Sequence, residues 1–242
     1  MQITELIITA LCALIALTVH EYAHGYAAYR LGDNTARNQG RLTLNPIKHV
    51  DPVGAICLIL FHFGWARPVP ISLRNFKKPR RDFALTALAG PASNLLLAFF
   101  TAFFYLLFYR NFNFQGTGFL HTLGLNFLIF LSTFFIINLG LCLFNLIPVP
   151  PLDGSRILGL VLPARTYFKI MRYERRIYYV FLAWLLLGSY VYAGLMSLPF
   201  VAASPILSGI ARIFSLSGLL SDLISLVAGL IINFWTLIPF LR

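Results

Sequence analysis

Long apolar runs, separated by short polar or basic stretches, organise this chain. Five runs are long enough, against the roughly 20 residues a helix needs to cross a bilayer, to be read as spans. They cover about Ile3–Tyr29, Phe83–Tyr109, His121–Ile147, Ile177–Leu198 and Leu219–Leu241. A shorter run, Val53–Phe63, is bracketed by Asp51-Pro52 and Gly64. It is too short to cross as a helix, so a re-entrant hairpin or loop is expected there. Gly54, Gly64, Pro68 and Pro70 also oppose one long helix in that region. Residues 199–217 contain Pro199, Pro205, Gly209 and Arg212 and are expected to lie along the outer surface. The pattern predicts an all-α polytopic membrane protein with about five transmembrane helices and a short re-entrant segment.

Composition agrees. Of the 242 residues, 59% are hydrophobic and 11% charged, and mean hydropathy is +0.79; soluble domains carry roughly a quarter charged residues. The first span lacks a basic start and a small-residue cleavage site, and carries Glu5, so it reads as a retained span and not a signal peptide. Cys12, Cys57 and Cys142 fall in apolar stretches and read as small buried hydrophobes.

A net charge of +11 raises the question of nucleic acid, but its distribution argues against one. Ten of the nineteen Lys and Arg residues lie between Gly25 and Asp82, and six more between Ser155 and Ile177. Clusters in two loops between spans follow the positive-inside rule and suit anionic lipid headgroups. With both loops in the cytosol, the N-terminus is outside, and the first span brings its end to the cytosolic face. The chain divides into a membrane core, residues 1–154, and residues 155–242, a basic loop with two further spans.

The chemistry sits at the end of the first span, in His20-Glu21-Tyr22-Ala23-His24. Residues four apart share a helix face, so the two imidazoles can converge on one zinc ion. Glu21 lies beside them, placed to take a proton from zinc-bound water. Ionisable groups are costly in a membrane helix, which makes function the default explanation. A catalytic zinc needs a third protein ligand. Among eight acidic residues, Asp153 alone lies at matching side and depth, after the third span in Asn145-Leu146-Ile147-Pro148-Val149-Pro150-Pro151-Leu152-Asp153-Gly154. The prolines hold an extended turn that lets the aspartate point back toward the ion. The bland alternative for Asp153 is an N-cap of a helix starting at Ser155.

These residues resemble the site-2 protease family of intramembrane zinc metalloproteases. The resemblance runs from about Thr18 to Gly154. It also takes in Leu44-Asn45-Pro46-Ile47-Lys48-His49-Val50-Asp51-Pro52-Val53-Gly54 and Ala89-Gly90-Pro91-Ala92-Ser93-Asn94. It implies a three-helix catalytic core, one zinc on His20, His24 and Asp153, Glu21 as general base, and cleavage within the membrane spans of single-span substrates. Family members often carry a PDZ or CBS domain, and this chain reads as a minimal member without either, in a prokaryotic plasma membrane.

Asn138 and Asn145 are seven apart and share a face of the third span; with Pro148 and Pro150 they are candidate substrate contacts. Asn145 could donate to the oxyanion formed during attack, and interhelical bonding is the alternative for both amides. Gly90, Pro91 and Asn94 read as residues of close helix approach, and His49 as a partner of Asp51. Three rival functions use the same residues. An ion transporter is weakened by the lack of an internal repeat, and an inactive helix-binding scaffold finds no direct support. A different zincin would need a glutamate ligand, for which only Glu174 follows, in a basic cluster. Oligomeric state is not legible.

Overall fold

The computed structural model describes residues 3–52, 54 and 66–241. The expected re-entrant segment, with Cys57 and His62, lies almost wholly outside them. Among the described residues five helices are long and apolar enough to cross a membrane: α1 (Ile3–Arg30), α3 (Pro79–Asn111), α4 (Phe119–Asn145), α7 (Glu174–Met196) and α10 (Leu216–Thr236). Between them lie α2 (Thr35–Asn38), α5 (Asp153–Val161), α6 (Ala164–Arg172), α8 (Pro199–Ala202) and α9 (Pro205–Arg212). The basic loop after residue 154 thus contains two short helices, and within residues 199–217 Pro199 and Pro205 each begin another. Among the described residues the β-type pairing is one isolated antiparallel bridge, Val50 to Ala66.

The core is built around α3, which packs on α1, α4 and α5, while α1 also packs on α4. Lipid tails are as apolar as leucine, so membrane helices associate through close packing and hydrogen bonds, and small residues gather at their interfaces. Accordingly the buried positions of α3 include Ala84, Ala87, Gly90, Ala98 and Ala102, and those of α1 include Cys12 and Ala16. Large side chains such as Leu96, Phe100 and Phe104 face outward. Helix α10 closes one side through Ala228 and Ile231 against Phe135 and Leu139, and Trp235 Nε1 donates to the Phe99 carbonyl at 2.8 Å.

Helix α1 ends where the chemistry begins. Gly32 at φ +110° closes it; Gly32 N donates to Tyr29 O at 3.1 Å and Asp33 N to Ala28 O at 2.9 Å, the paired bonds of a glycine C-cap. Asp33 then gathers donors from both sides of the loop: Thr35 N, Ser72 N and Asn75 Nδ2. That node draws residues 66–75 back onto the end of α1, where Arg41 Nη2 donates to the carbonyls of Arg67 (2.8 Å) and Pro68 (3.2 Å).

Candidate metal centre

His20 and His24 are both buried on the face of α1 turned to α3. Their Nε2 atoms stand 3.0 Å apart, and Asp153 Oδ2 stands 3.3 Å from each. Donor atoms about 2.0–2.2 Å from a tetrahedral zinc stand about 3.3 Å from one another, so the triangle has the size such an ion requires. Its chemistry fits too. His24 Nδ1 lies 2.8 Å from the Thr86 carbonyl, which can only accept, so that nitrogen carries the proton and Nε2 presents a lone pair. Asp153 Oδ2 is buried without a hydrogen-bond donor. Lone pairs brought together in this way need a cation between them. His20, His24 and Asp153 are the one cluster of this kind among the described residues.

Each ligand is aimed by a local feature. Asp153 is the first residue of α5, with Leu152 at the cap position and no side-chain capping bond. It is therefore not the N-cap of a helix starting at Ser155. Gly154 must be glycine, because a Cβ there would run into the backbone carbonyls of Leu146 and Ile147. That close approach folds α5 back against the end of α4. Arg156 then braces α5: it pairs with Glu174 at the start of α7 and lies over the Phe83 ring at 5.6 Å. Glu174 is thereby committed to an arginine and is no ligand.

Glu21, the next residue after His20, is half-buried, and its Oε2 accepts the backbone N–H of Val69 at 2.8 Å. Val69 is itself buried and packs over Gly25, where a Cβ would lie 3.2 Å from Val69 Cγ1. The Arg41-pinned segment therefore anchors one oxygen of this carboxylate.

The asparagines are placed differently from one another. Asn138, expected to touch substrate, is fully buried; its Oδ1 accepts from Asn94 and its Nδ2 donates to the Phe134 carbonyl, both at 2.8 Å. Its amide is spent inside the bundle, which corrects that expectation. Asn145 is half-buried at the end of α4 and turns its Nδ2 back to the Leu141 carbonyl at 2.9 Å. Pro150 is buried and Pro148 exposed. His49 bonds the Thr43 carbonyl at 2.7 Å and not Asp51, whose Oδ1 accepts from Gly54 N.

Two neighbours of the metal-binding triangle come from the Ala89–Asn94 stretch. A Cβ on Gly90 would lie within 3 Å of both imidazoles, so the close approach it permits is to the ligands themselves. Asn94, fully buried, sets its Oδ1 2.5 Å from His20 Nδ1. The signal was present in the sequence: a buried amide in an apolar span is costly and marks a site.

A set of candidate metal ligands built on H-E-x-x-H, among membrane-length helices, points to a membrane metallopeptidase class, and residues 8–188 match peptidase family M50. The chain belongs to this family, the site-2 proteases. It is 46% identical over 180 residues to the "Putative zinc metalloprotease YwhC" of Bacillus subtilis (strain 168), covering 74% of this chain and 80% of that one. It is 32% identical over 145 residues to the "Putative zinc metalloprotease Rip2" of Mycolicibacterium smegmatis, covering 58% of this chain and about half (52%) of that protein. No solved structure matches the chain.

Proposed function

We propose that this protein is an intramembrane zinc endopeptidase that hydrolyses peptide bonds within or near the transmembrane segments of membrane-protein substrates, typically single-span ones. The observation that carries this reading is the triangle of His20 Nε2, His24 Nε2 and Asp153 Oδ2, with sides of 3.0–3.3 Å and Glu21 beside it, among helices of membrane length. One zinc held there would supply a Lewis acid that acidifies water and polarises a carbonyl. Glu21 takes the proton from the attacking water through the oxygen that Val69 leaves free. Water oxygen bonds to the carbonyl carbon, the C–N bond breaks, and Glu21 returns the proton to the leaving amine. Asn145, half-buried at the end of α4, would exchange its bond to Leu141 for one to the developing oxyanion. The two basic loops support a cytosolic position for this end of α1, with the N-terminus outside.

The test compares purified wild type with Glu21→Gln for zinc content and for cleavage of a panel of single-span substrates. The variant is expected to keep stoichiometric zinc and to lose cleavage by at least about a hundredfold, the order of a general base's contribution. Undiminished cleavage by Glu21→Gln would sink the mechanism, and a zinc-free wild type from metal-replete growth would sink the site.

A further inference from the structure

His24 has its proton fixed by a backbone carbonyl, whereas His20 faces a side-chain amide that could in principle present either end. We infer that Asn94 and Asn138 form a relay of fixed polarity that holds His20 as its Nδ1–H tautomer and so keeps Nε2 bare for a metal ion. Both are positioning residues. The inference rests on the reading of His20, His24 and Asp153 as zinc ligands.

The polarity of the relay is set at its far end. An asparagine amide has a donor end and an acceptor end of nearly the same shape, so its direction must be set by a neighbour that works only one way. That neighbour is the Phe134 carbonyl on α4, which can only accept. Asn138 Nδ2 donates to it at 2.8 Å, which turns Asn138 Oδ1 toward α3. Asn94 Nδ2 donates to this oxygen at 2.8 Å and lies 3.4 Å from the Ala16 carbonyl on α1, a second acceptor-only group. Asn94 Oδ1 is thereby left facing His20 Nδ1 at 2.5 Å. An acceptor at that place demands a proton on Nδ1, and a neutral imidazole has only one N–H.

Reversing Asn94 alone would set its NH₂ against Nδ1 and move the proton to Nε2, the atom that faces His24 and Asp153. It would also place two acceptors against each other at Asn138. Both amides are fully buried, so no water relieves the mismatch, and each buried unpaired group costs about 1–3 kcal/mol. The relay crosses α4, α3 and α1 in turn, so the protonation pattern of one ligand is tied to the register of the three-helix core.

The experiment uses the full chain in detergent micelles with ¹⁵N-labelled histidine, read both as the His20 tautomer in metal-free protein and as the zinc dissociation constant. Wild type is expected to carry the His20 proton on Nδ1. Asn94→Leu should give mixed tautomers and weaken zinc about 10- to 100-fold, the usual consequence of losing a partner behind a metal-bound histidine. Asn94→Asp keeps an acceptor oxygen for Nδ1, though its second oxygen then meets Asn138 Oδ1, and should hold zinc clearly more tightly than Asn94→Leu. Asn138→Leu touches no ligand, yet it frees Asn94 to turn and should still shift the tautomer. If Asn94→Leu does not fold, Asn138→Leu decides. A wild-type His20 protonated on Nε2, or unaltered tautomer and zinc affinity in the leucine variants, overturns the relay. Equal loss of zinc in Asn94→Asp and Asn94→Leu also overturns it, because an interhelical tie alone predicts that result. A wild type that binds no zinc defeats the ligand reading, while the tautomer measurement still judges the relay by itself.

Discussion

The α1–α3–α4 core and the outer α7–α9 region use membrane-compatible helices for opposite ends. In the core α1 and α3 bury mainly small or polar residues against Phe134, Phe135 and Leu139 of α4, and the polar ones are tied across helices: His20 to Asn94, Asn94 to Asn138, His24 to the Thr86 carbonyl. Helix α7 has the length and hydropathy of a span, but among its described residues it buries only Phe181 and Gly188. Val180, Leu187 and Tyr190 are exposed, as lipid-facing side chains are. The ion pair between α9 and α10, Arg212 with Asp222, is largely open to its surroundings, where such pairs contribute at most about 1 kcal/mol. Hydrophobicity alone places a helix in a bilayer; backbone proximity and hydrogen-bond direction build a site from it.

The same substitution made in both regions tests that contrast most sharply. Gly90→Ala in α3 puts a methyl within 3 Å of both imidazoles. Neither ring can retreat without breaking its Nδ1 bond to Asn94 or Thr86. We expect zinc content to fall to background and cleavage to drop by more than about a hundredfold, since a displacement near 1 Å already costs that much. Elemental analysis of the purified variant checks it, and full zinc occupancy would remove Gly90 from the site.

The sequence revealed the two kinds of feature unequally. Spans were legible because a bilayer imposes length and apolarity on each segment by itself. His20, Glu21 and His24 were legible because helical spacing alone brings i and i+4 together. Asp153 needed topology as well, which the basic loops provided. Asn138 was misjudged for a physical reason: seven-residue spacing put it on one face with Asn145 but did not say whether that face meets substrate or α3. Gly90, Asn94 and the Val69 N–H act across helices or loops, so their roles depend on rotation and depth that no single segment encodes. Arg156 likewise looked like one more loop cation until α5 set it against Glu174 and Phe83.

A smaller effect is expected at the rim of the core, where Asp33 ties residues 72–75 to the end of α1. Burial pushes its carboxyl up, but hydrogen bonds from the Thr35 hydroxyl, Ser72 N, Asn75 Nδ2 and Thr35 N outweigh it and hold the group below the usual carboxylate range. A depressed folded value means that this stabilisation is fully present above the unfolded value of about 3.9 and is lost as pH falls through the lower folded one. Thermal unfolding of wild type and Asp33→Asn should therefore differ most above about pH 5 and converge in the window below about pH 4. A difference independent of pH from 7 to 3 would show that the charge of Asp33 contributes nothing to the loop.

The smallest effect, and one of opposite sign, belongs to the outer region. Gly194 lies in α7 with nothing within 4 Å of where a Cβ would stand. Alanine there meets open space and removes the conformational freedom that glycine gives up on entering a helix. Glycine costs a helix interior at most about 1 kcal/mol relative to alanine, and in a bilayer, where the unfolded backbone also seeks internal hydrogen bonds, we expect less than that. Gly194→Ala should leave zinc content and cleavage at wild-type levels and raise the unfolding temperature by a few degrees at most, about what such an increment produces. A marked loss of cleavage in Gly194→Ala would mean that the exposed face of α7 takes part in the reaction cycle, and the division between site-building core and lipid-facing helix would have to be redrawn to include it.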